Sequence, residues 1–467
     1  MQVFGGIFFI IISLYLPKTD SGDIAWANSV ALVLVMALSF GMDQVVVRRI
    51  AASDRSDWAA PAYFFHLAVL NTATFIIIYL IVLLGGNGMM SGFRVLPWMF
   101  LVQGLLSTAG PLKFYFNAKQ QFRPYAIIAI ISNTAKLGIG IGLLIFQHLS
   151  LITSITTLVA CAAFELLALL TYIIATAQFS FYFKWIAYKK LLKEAFPQYI
   201  SVLFDSSLAR ADIILLGIIS TSIITSEYNL AYRAYEIAKL PLTIIGPILL
   251  ARFARILASG SKADENTQTQ VMQLYRFESF FSMLIPLLLN LMWAPLLDDI
   301  FNKKFGSVNA PEFMILSVCI PIHFLINLLW TLCFSAKKYK QISAIIGITA
   351  IINIILNIVF INLWDSNGAA IAFLITTVLQ LFGYLKLAGK HIIKIPVMPF
   401  IIFTAIAILA YIISIYLTEV LWLRLIIATV VYIIMSIVSK QVNKEDMAGL
   451  QAILLKKKSN AALHDTE

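Results

Sequence analysis

The sequence predicts an all-α polytopic membrane protein of about fourteen transmembrane helices, arranged as two six-helix lobes in pseudo-two-fold repeat plus two C-terminal helices. Three observations predict it: a charge-poor apolar composition, a succession of membrane-length apolar runs, and a match between the two halves. The chain has 467 residues, 61% hydrophobic and 12% charged, with a mean hydropathy of +0.90. A soluble domain carries roughly 25% charged residues, so water is not the main solvent of this surface.

Apolar runs of about 20 residues suffice to cross hydrocarbon. They fall near 2–16, 24–42, 62–84, 95–116, 125–146, 151–177, 195–219, 228–251, 274–296, 312–334, 342–361, 367–385, 397–417 and 421–438. They are continuous rather than alternating, and in lipid every backbone group must be satisfied internally, so they read as helices. The first run is a retained span, since Tyr15-Leu16-Pro17-Lys18 is not a small-residue cleavage site.

The net charge of +11 is distributed by side. With Lys113, Arg276 and Arg424 at span borders counted with the loops, alternate loops carry 25 Lys and Arg on one side and 5 on the other, with 4 (Lys136, Arg210, Arg233 and Lys239) inside spans. This positive-inside bias places both termini in the cytoplasm, and it accounts for the basic balance without a nucleic-acid partner. Cys161, Cys319 and Cys333 lie in apolar runs without metal spacing and read as packed small hydrophobes rather than a disulfide framework.

The segment FNAKQQFR (116–123) follows the fourth span, and FSAKKYK (334–340) follows the tenth. With one residue deleted, their aromatic, small, Lys and basic positions align, the mark of an internal repeat. Six intervening spans preserve orientation, so the halves read as parallel repeats. The lobes cover 1–177 and 195–385, with a cytoplasmic linker over 178–194, two extra helices over 386–438 and a basic cytoplasmic tail over 439–467. Two facing lobes suggest alternating access with cargo bound in the cleft between them.

Ionisable residues within spans are costly and normally face a partner or a wet cavity. Spans seven and eight concentrate Asp205, Arg210, Asp212, Arg233, Glu236 and Lys239. Two readings stand. In one, three acids neutralise three bases and hold the two spans in register. In the other, the bases face the cleft and hold an anionic headgroup, while Asp205, Asp212 or Glu236 serves as counter-charge or carries a coupling cation. Lys136 in span five and Glu165 in span six are isolated charges that can pair with each other; Asn353 and Asn357 make the repeat-equivalent neighbourhood of Lys136 polar too. His66 and His323 read as satisfied interior residues. Asp43, Arg48 and Arg252 close spans two and eight and are candidates for a cytoplasmic gate. Pro241, Gly246 and Pro247 interrupt span eight beside its charges, a pointer to a transport site. No phosphate-cradling glycine loop, His/Glu metal pair or Ser/His/Asp set occurs, so neither catalytic nor metal residues are expected.

Three segments carry a resemblance: SGDIAWANSVALVLVMALSFGMDQVVVRRIA (21–51), AFPQYISVLFDSSLARADIILLG (195–217) with SEYNLAYRAYEIAKLPLTIIGPILLARFARI (226–256), and NGAAIAFLITTVLQL (367–381). They resemble the O-antigen and polysaccharide repeat-unit flippases of the multidrug/oligosaccharidyl-lipid/polysaccharide exporter superfamily. The resemblance implies two six-helix lobes and translocation of undecaprenyl-pyrophosphate-linked oligosaccharide from the cytoplasmic to the periplasmic leaflet of the bacterial inner membrane. It implies no cofactor beyond a coupling H+ or Na+. It also implies membrane lipid and polysaccharide polymerase or assembly proteins as partners. Lys136, Arg210, Arg233 and Lys239 would neutralise the pyrophosphate, with Asp205, Asp212, Glu236 and Glu165 as coupling or counter-charge residues. Lys18 departs from the arginine often found there, which weakens a bidentate phosphate grip. The alternatives are a cation-coupled multidrug exporter of the same superfamily and a non-transporting scaffold.

Overall fold

The computed structural model describes residues 2–52, 58–85, 90–176, 181–242, 246, 249–250, 253 and 265–441. These hold fifteen helices and no strand. In chain order they are α1 (Gln2–Tyr15), α2 (Lys18–Leu38), α3 (Met42–Ala52), α4 (Ala59–Gly85), α5 (Ser91–Thr108), α6 (Gly110–Ala118), α7 (Arg123–Ile145) and α8 (Leu151–Thr176). They continue with α9 (Trp185–Ile219), α10 (Ser222–Ala238), α11 (Glu265–Phe301), α12 (Ala310–Ser335), α13 (Tyr339–His391), α14 (Met398–Leu417) and α15 (Leu421–Val438). Ten spans among the described residues are long and apolar enough to cross a membrane, counting α5 and α6 together. The protein is an all-α, multi-pass membrane protein.

Local chemistry sets the breaks. Pro17 caps α2 with a non-helical backbone and separates it from α1, as a residue with fixed φ and no N–H does at a helix start. Phe40 and Gly41 take φ of 50° and 65° and end the second span. Gly41 is required there twice over: its left-handed φ is unfavourable for other residues, and an added Cβ would lie 2.8 Å from the Tyr199 backbone nitrogen. The expected eleventh and twelfth spans both lie in α13, which non-helical angles at Trp364 and Asp365 divide into two helical stretches. The linker expected over 178–194 is helical from Trp185 onward. Helix α10 ends at Ala238, so span eight breaks at Lys239 beside Pro241, which has no N–H to continue the ladder.

The chain forms two compact units, Met1–Arg233 with Ala350–Ala369, and Ala234–Thr349 with Ala370–Glu467. The first unit includes α9, which packs along α2 and α3. Helix α2 is an interior helix of this unit, with Ile24, Trp26, Ala27 and Ala31 all buried. On α4, by contrast, Ile77, Ile81 and Leu84 are exposed, as a lipid-facing surface requires. One core cluster joins Phe8, Ile12, Trp26, Met99, Phe100 and Leu158. A second joins Met42, Val46, Tyr63, Leu112, Phe116 and Leu169 toward the other end. In the second unit α11 packs on α12, α14 and α15.

Candidate functional site

Polar side chains in the first unit gather in three places. At the end where α2, α5 and α10 begin, Lys18 pairs with Glu227 at 2.5 Å. Asp23 accepts hydrogen bonds from Ser91 (2.9 Å) and Ser222 (2.6 Å). Ser220 donates to Asp365, at the break in α13, at 2.9 Å. Trp26 donates from Nε1 to the Ile214 carbonyl at 3.1 Å. These bonds fasten α2 to the start of α10.

At the opposite end Arg49 makes a two-bond ion pair with Glu194, its Nε lying 2.8 Å from Oε2. The pair holds the Glu194 carboxyl below the usual carboxylate range, chiefly through the Arg49 hydrogen bond. Phe40 stacks on Tyr199 with ring centroids 4.6 Å apart. Asp43 accepts a hydrogen bond from Tyr63. Arg48 is exposed, so among the described residues the arginine that ties α3 to α9 is Arg49. Arg252 lies outside the described residues. His66 is satisfied on both nitrogens, by Tyr188 at 2.7 Å and the Leu38 carbonyl at 2.8 Å.

The third cluster lies inside the spans, on α6, α7 and α8. Glu165 is buried at 4% exposure, and its ion-pair partner is Lys113, not Lys136. The sequence places Lys113 at a loop border, but on α6 its Nζ reaches the Glu165 carboxylate of α8. Lys136 is half-buried on α7, and its Nζ donates to the Asn133 side-chain oxygen at 3.3 Å. Two ammonium groups therefore accompany one carboxylate. Asn353 and Asn357 are fully buried and hydrogen-bonded to each other at 3.0 Å.

The charges of spans seven and eight divide between the two units. In the first, Asp212 is fully buried and accepts from the Tyr228 hydroxyl at 2.5 Å. Asp205 is exposed. The Arg210 guanidinium lies 5.8 Å from the Tyr232 ring centre, and that of Arg233 lies 4.9 Å from Phe9. Such cation–π contacts hold a charge in an apolar surrounding. In the second unit the Lys239 ammonium lies 4.0 Å over the Tyr235 ring, and Glu236 is half-buried. The Tyr235 hydroxyl lies 3.1 Å from His323, which also bonds the Cys319 carbonyl at 2.9 Å and stacks on Phe373. His323 is thus a satisfied interior residue. The three cysteines are buried and free.

A match to the polysaccharide biosynthesis protein family spans residues 1–257, which hold this whole set of first-unit charges up to Arg233. The chain belongs to the polysaccharide biosynthesis protein family. The fold of this family member is similar to that of lipid II flippase MurJ in an inward closed conformation, with TM-score 0.74 and 15% identity over 94% of this chain and 97% of that one. It is also similar to an inward-facing multidrug resistance MATE transporter of the MOP superfamily, with TM-score 0.66 and 11% identity over 83% and 94%. A third likeness is to the MATE multidrug transporter DinF-BH in complex with R6G, with TM-score 0.58 and 15% identity over 84% and 92%. No curated protein matches the sequence.

Glu278, on α11, is not among the residues the sequence singles out. Arg276 two positions earlier makes the start of span nine look like a loop border. The Glu278 side chain is nonetheless 5% exposed. The Lys18–Glu227 and Arg49–Glu194 pairs carry no local signal, joining residues 209 and 145 positions apart.

Proposed function

We propose that this polysaccharide biosynthesis protein is a flippase for an undecaprenyl-pyrophosphate-linked oligosaccharide, an O-antigen, capsule or exopolysaccharide repeat unit. It would carry the unit from the cytoplasmic to the periplasmic leaflet of the bacterial inner membrane by alternating access, coupled to H+ or Na+. The observation that carries this reading is the Lys136 ammonium. It sits half-buried in a membrane helix with an amide for a partner, while the nearby Glu165 carboxylate is held by Lys113. An intramembrane cation with so weak an acceptor is suited to a strong one arriving with the substrate, and a pyrophosphate supplies it. Arg210 and Arg233, lying over aromatic faces, would add to the same positive field in this unit. Family membership supports the link to polysaccharide synthesis, and the likeness to a lipid II flippase accords with a lipid-linked cargo.

The test is replacement of Lys136 or Arg210 by Ala, with protein level monitored in the membrane. Surface polysaccharide should fall and the loaded lipid carrier should accumulate. Normal polysaccharide in both variants would remove these residues from the site. Increased sensitivity to cationic dyes on deletion, with an unchanged cell surface, would instead favour the multidrug exporter.

A further inference from the structure

The headgroup chemistry leaves Glu278 unused. This side chain is 5% exposed on α11, and neither carboxyl oxygen has a hydrogen-bond partner among the described residues. It lies at a seam of the second unit. Before it on the helix, Val271, Leu274 and Tyr275 enter the core cluster shared with α12 and α13. After it, Met283 and Leu287 enter the cluster shared with α14 and α15. Ser279 and Ser282, at neighbouring positions, are buried as well.

The other titratable and charged groups of the packed elements are Glu265, Tyr275, Arg276, Asp298 and Asp299 on α11, and Glu312, Cys319, His323 and Cys333 on α12. Those on the remaining elements are Tyr339, Lys340, Asp365, Tyr384, Lys386, Lys390 and His391 on α13, Tyr411 and Tyr416 on α14, and Arg424 and Tyr432 on α15. None of them gives the Glu278 carboxyl a hydrogen bond. Tyr432 spends its hydroxyl on the Phe280 carbonyl at 2.8 Å. An ionised carboxylate without countercharge or hydrogen bonds is poorly tolerated in such a medium. The neutral carboxylic acid is the form this surrounding accommodates.

We infer that Glu278 is a proton-binding site: it holds a proton in this conformation and exchanges it with water only when a movement of α11 opens the seam. Binding forms one O–H bond on the carboxylate, and release returns that proton to water, so no other reactant is needed. A site protonated when closed and deprotonated when open ties the proton to the conformation, which is the element a proton-coupled cycle requires. The inference deepens the flippase reading, resting on its coupling to H+ and giving that proton a site, and it does not depend on which cargo is carried.

Infrared spectroscopy of the purified full-length protein in lipid nanodiscs tests it without any transport assay. At neutral pH the wild type should show a carboxylic-acid carbonyl band that Glu278→Gln lacks. On transfer to D2O that band should shift slowly, on the timescale of conformational opening. A wild-type spectrum identical to that of Glu278→Gln in this region would overturn the inference, and so would an immediate shift in D2O. Should Glu278→Gln fail to fold, Glu278→Asp serves as the second variant. Its acid band should be displaced from the wild-type position, and an unmoved band would assign the proton elsewhere. A normal result here with failed polysaccharide export, or the reverse, separates this proposal from the flippase reading.

Discussion

Lys113 and Lys136 lie near the same carboxylate, and the difference in their partners sets what each contributes. Lys113 neutralises Glu165, which has a side-chain exposure of 5%. Removing one member of a buried pair strands the other charge at a cost of about 3–5 kcal/mol. Lys113→Met should therefore lower the thermal stability of the detergent-solubilised protein substantially, and adding Glu165→Leu should restore most of it. Lys136 has only an amide acceptor, so Lys136→Gln should change stability by about 1 kcal/mol or less while abolishing surface polysaccharide. A matched fall in stability and export would mean that Lys136 is structural. Lys136 and Glu165 are legible in the sequence as two charges in apolar spans. The third member of the cluster is not, because Lys113 reads as a charge at the border of a span and its meeting with Glu165, 52 positions away, is set by helix packing.

At the scale of elements, the first unit is held at both ends by contacts between α2 or α3 and the α9–α10 hairpin. Gly22 permits one of them: a Cβ there would lie 1.8 Å from the Ser222 carbonyl oxygen. Since that obstacle is backbone, Gly22→Ala must push α2 off the hairpin, and a loss of about 1–3 kcal/mol is expected. Differential scanning fluorimetry checks it. At the other end the Arg49–Glu194 clasp carries a pH dependence. The Glu194 carboxyl is depressed in the folded protein. Its contribution is therefore complete above the unfolded carboxylate value and disappears as pH falls through the lowered folded value. Arginine stays protonated throughout. The melting difference between wild type and Glu194→Gln should thus be present at neutral pH and vanish in acid. A difference that persists unchanged to low pH would refute the clasp. Periodicity places these helices, and the prolines and glycines at 17, 41 and 111 mark where they break. The partner of each end is set by packing between segments far apart in the chain.

For the whole molecule, the loop charges predict an orientation that the fold by itself does not carry. With both termini cytoplasmic, a phosphatase fused to the C-terminus should be inactive and a fluorescent protein fused there should fluoresce. The opposite pair of results would invert the chain in the membrane. Helix α9 and most of α10 belong with the first unit, and residues 350–369 of α13 join them.

By itself the sequence determined that this is a multi-pass, all-α membrane protein whose cost in buried charge is concentrated in a few spans. Hydropathy and positive-inside bias are sums over local residues, so they survive without knowledge of neighbours. Tertiary structure alone decided which charges meet: Lys113 with Glu165, Arg49 with Glu194, Lys18 with Glu227. It also left Glu278 without a hydrogen-bond partner among the described residues. Charge cancellation depends on distances of a few ångströms between segments tens to hundreds of residues apart, and no local pattern records them.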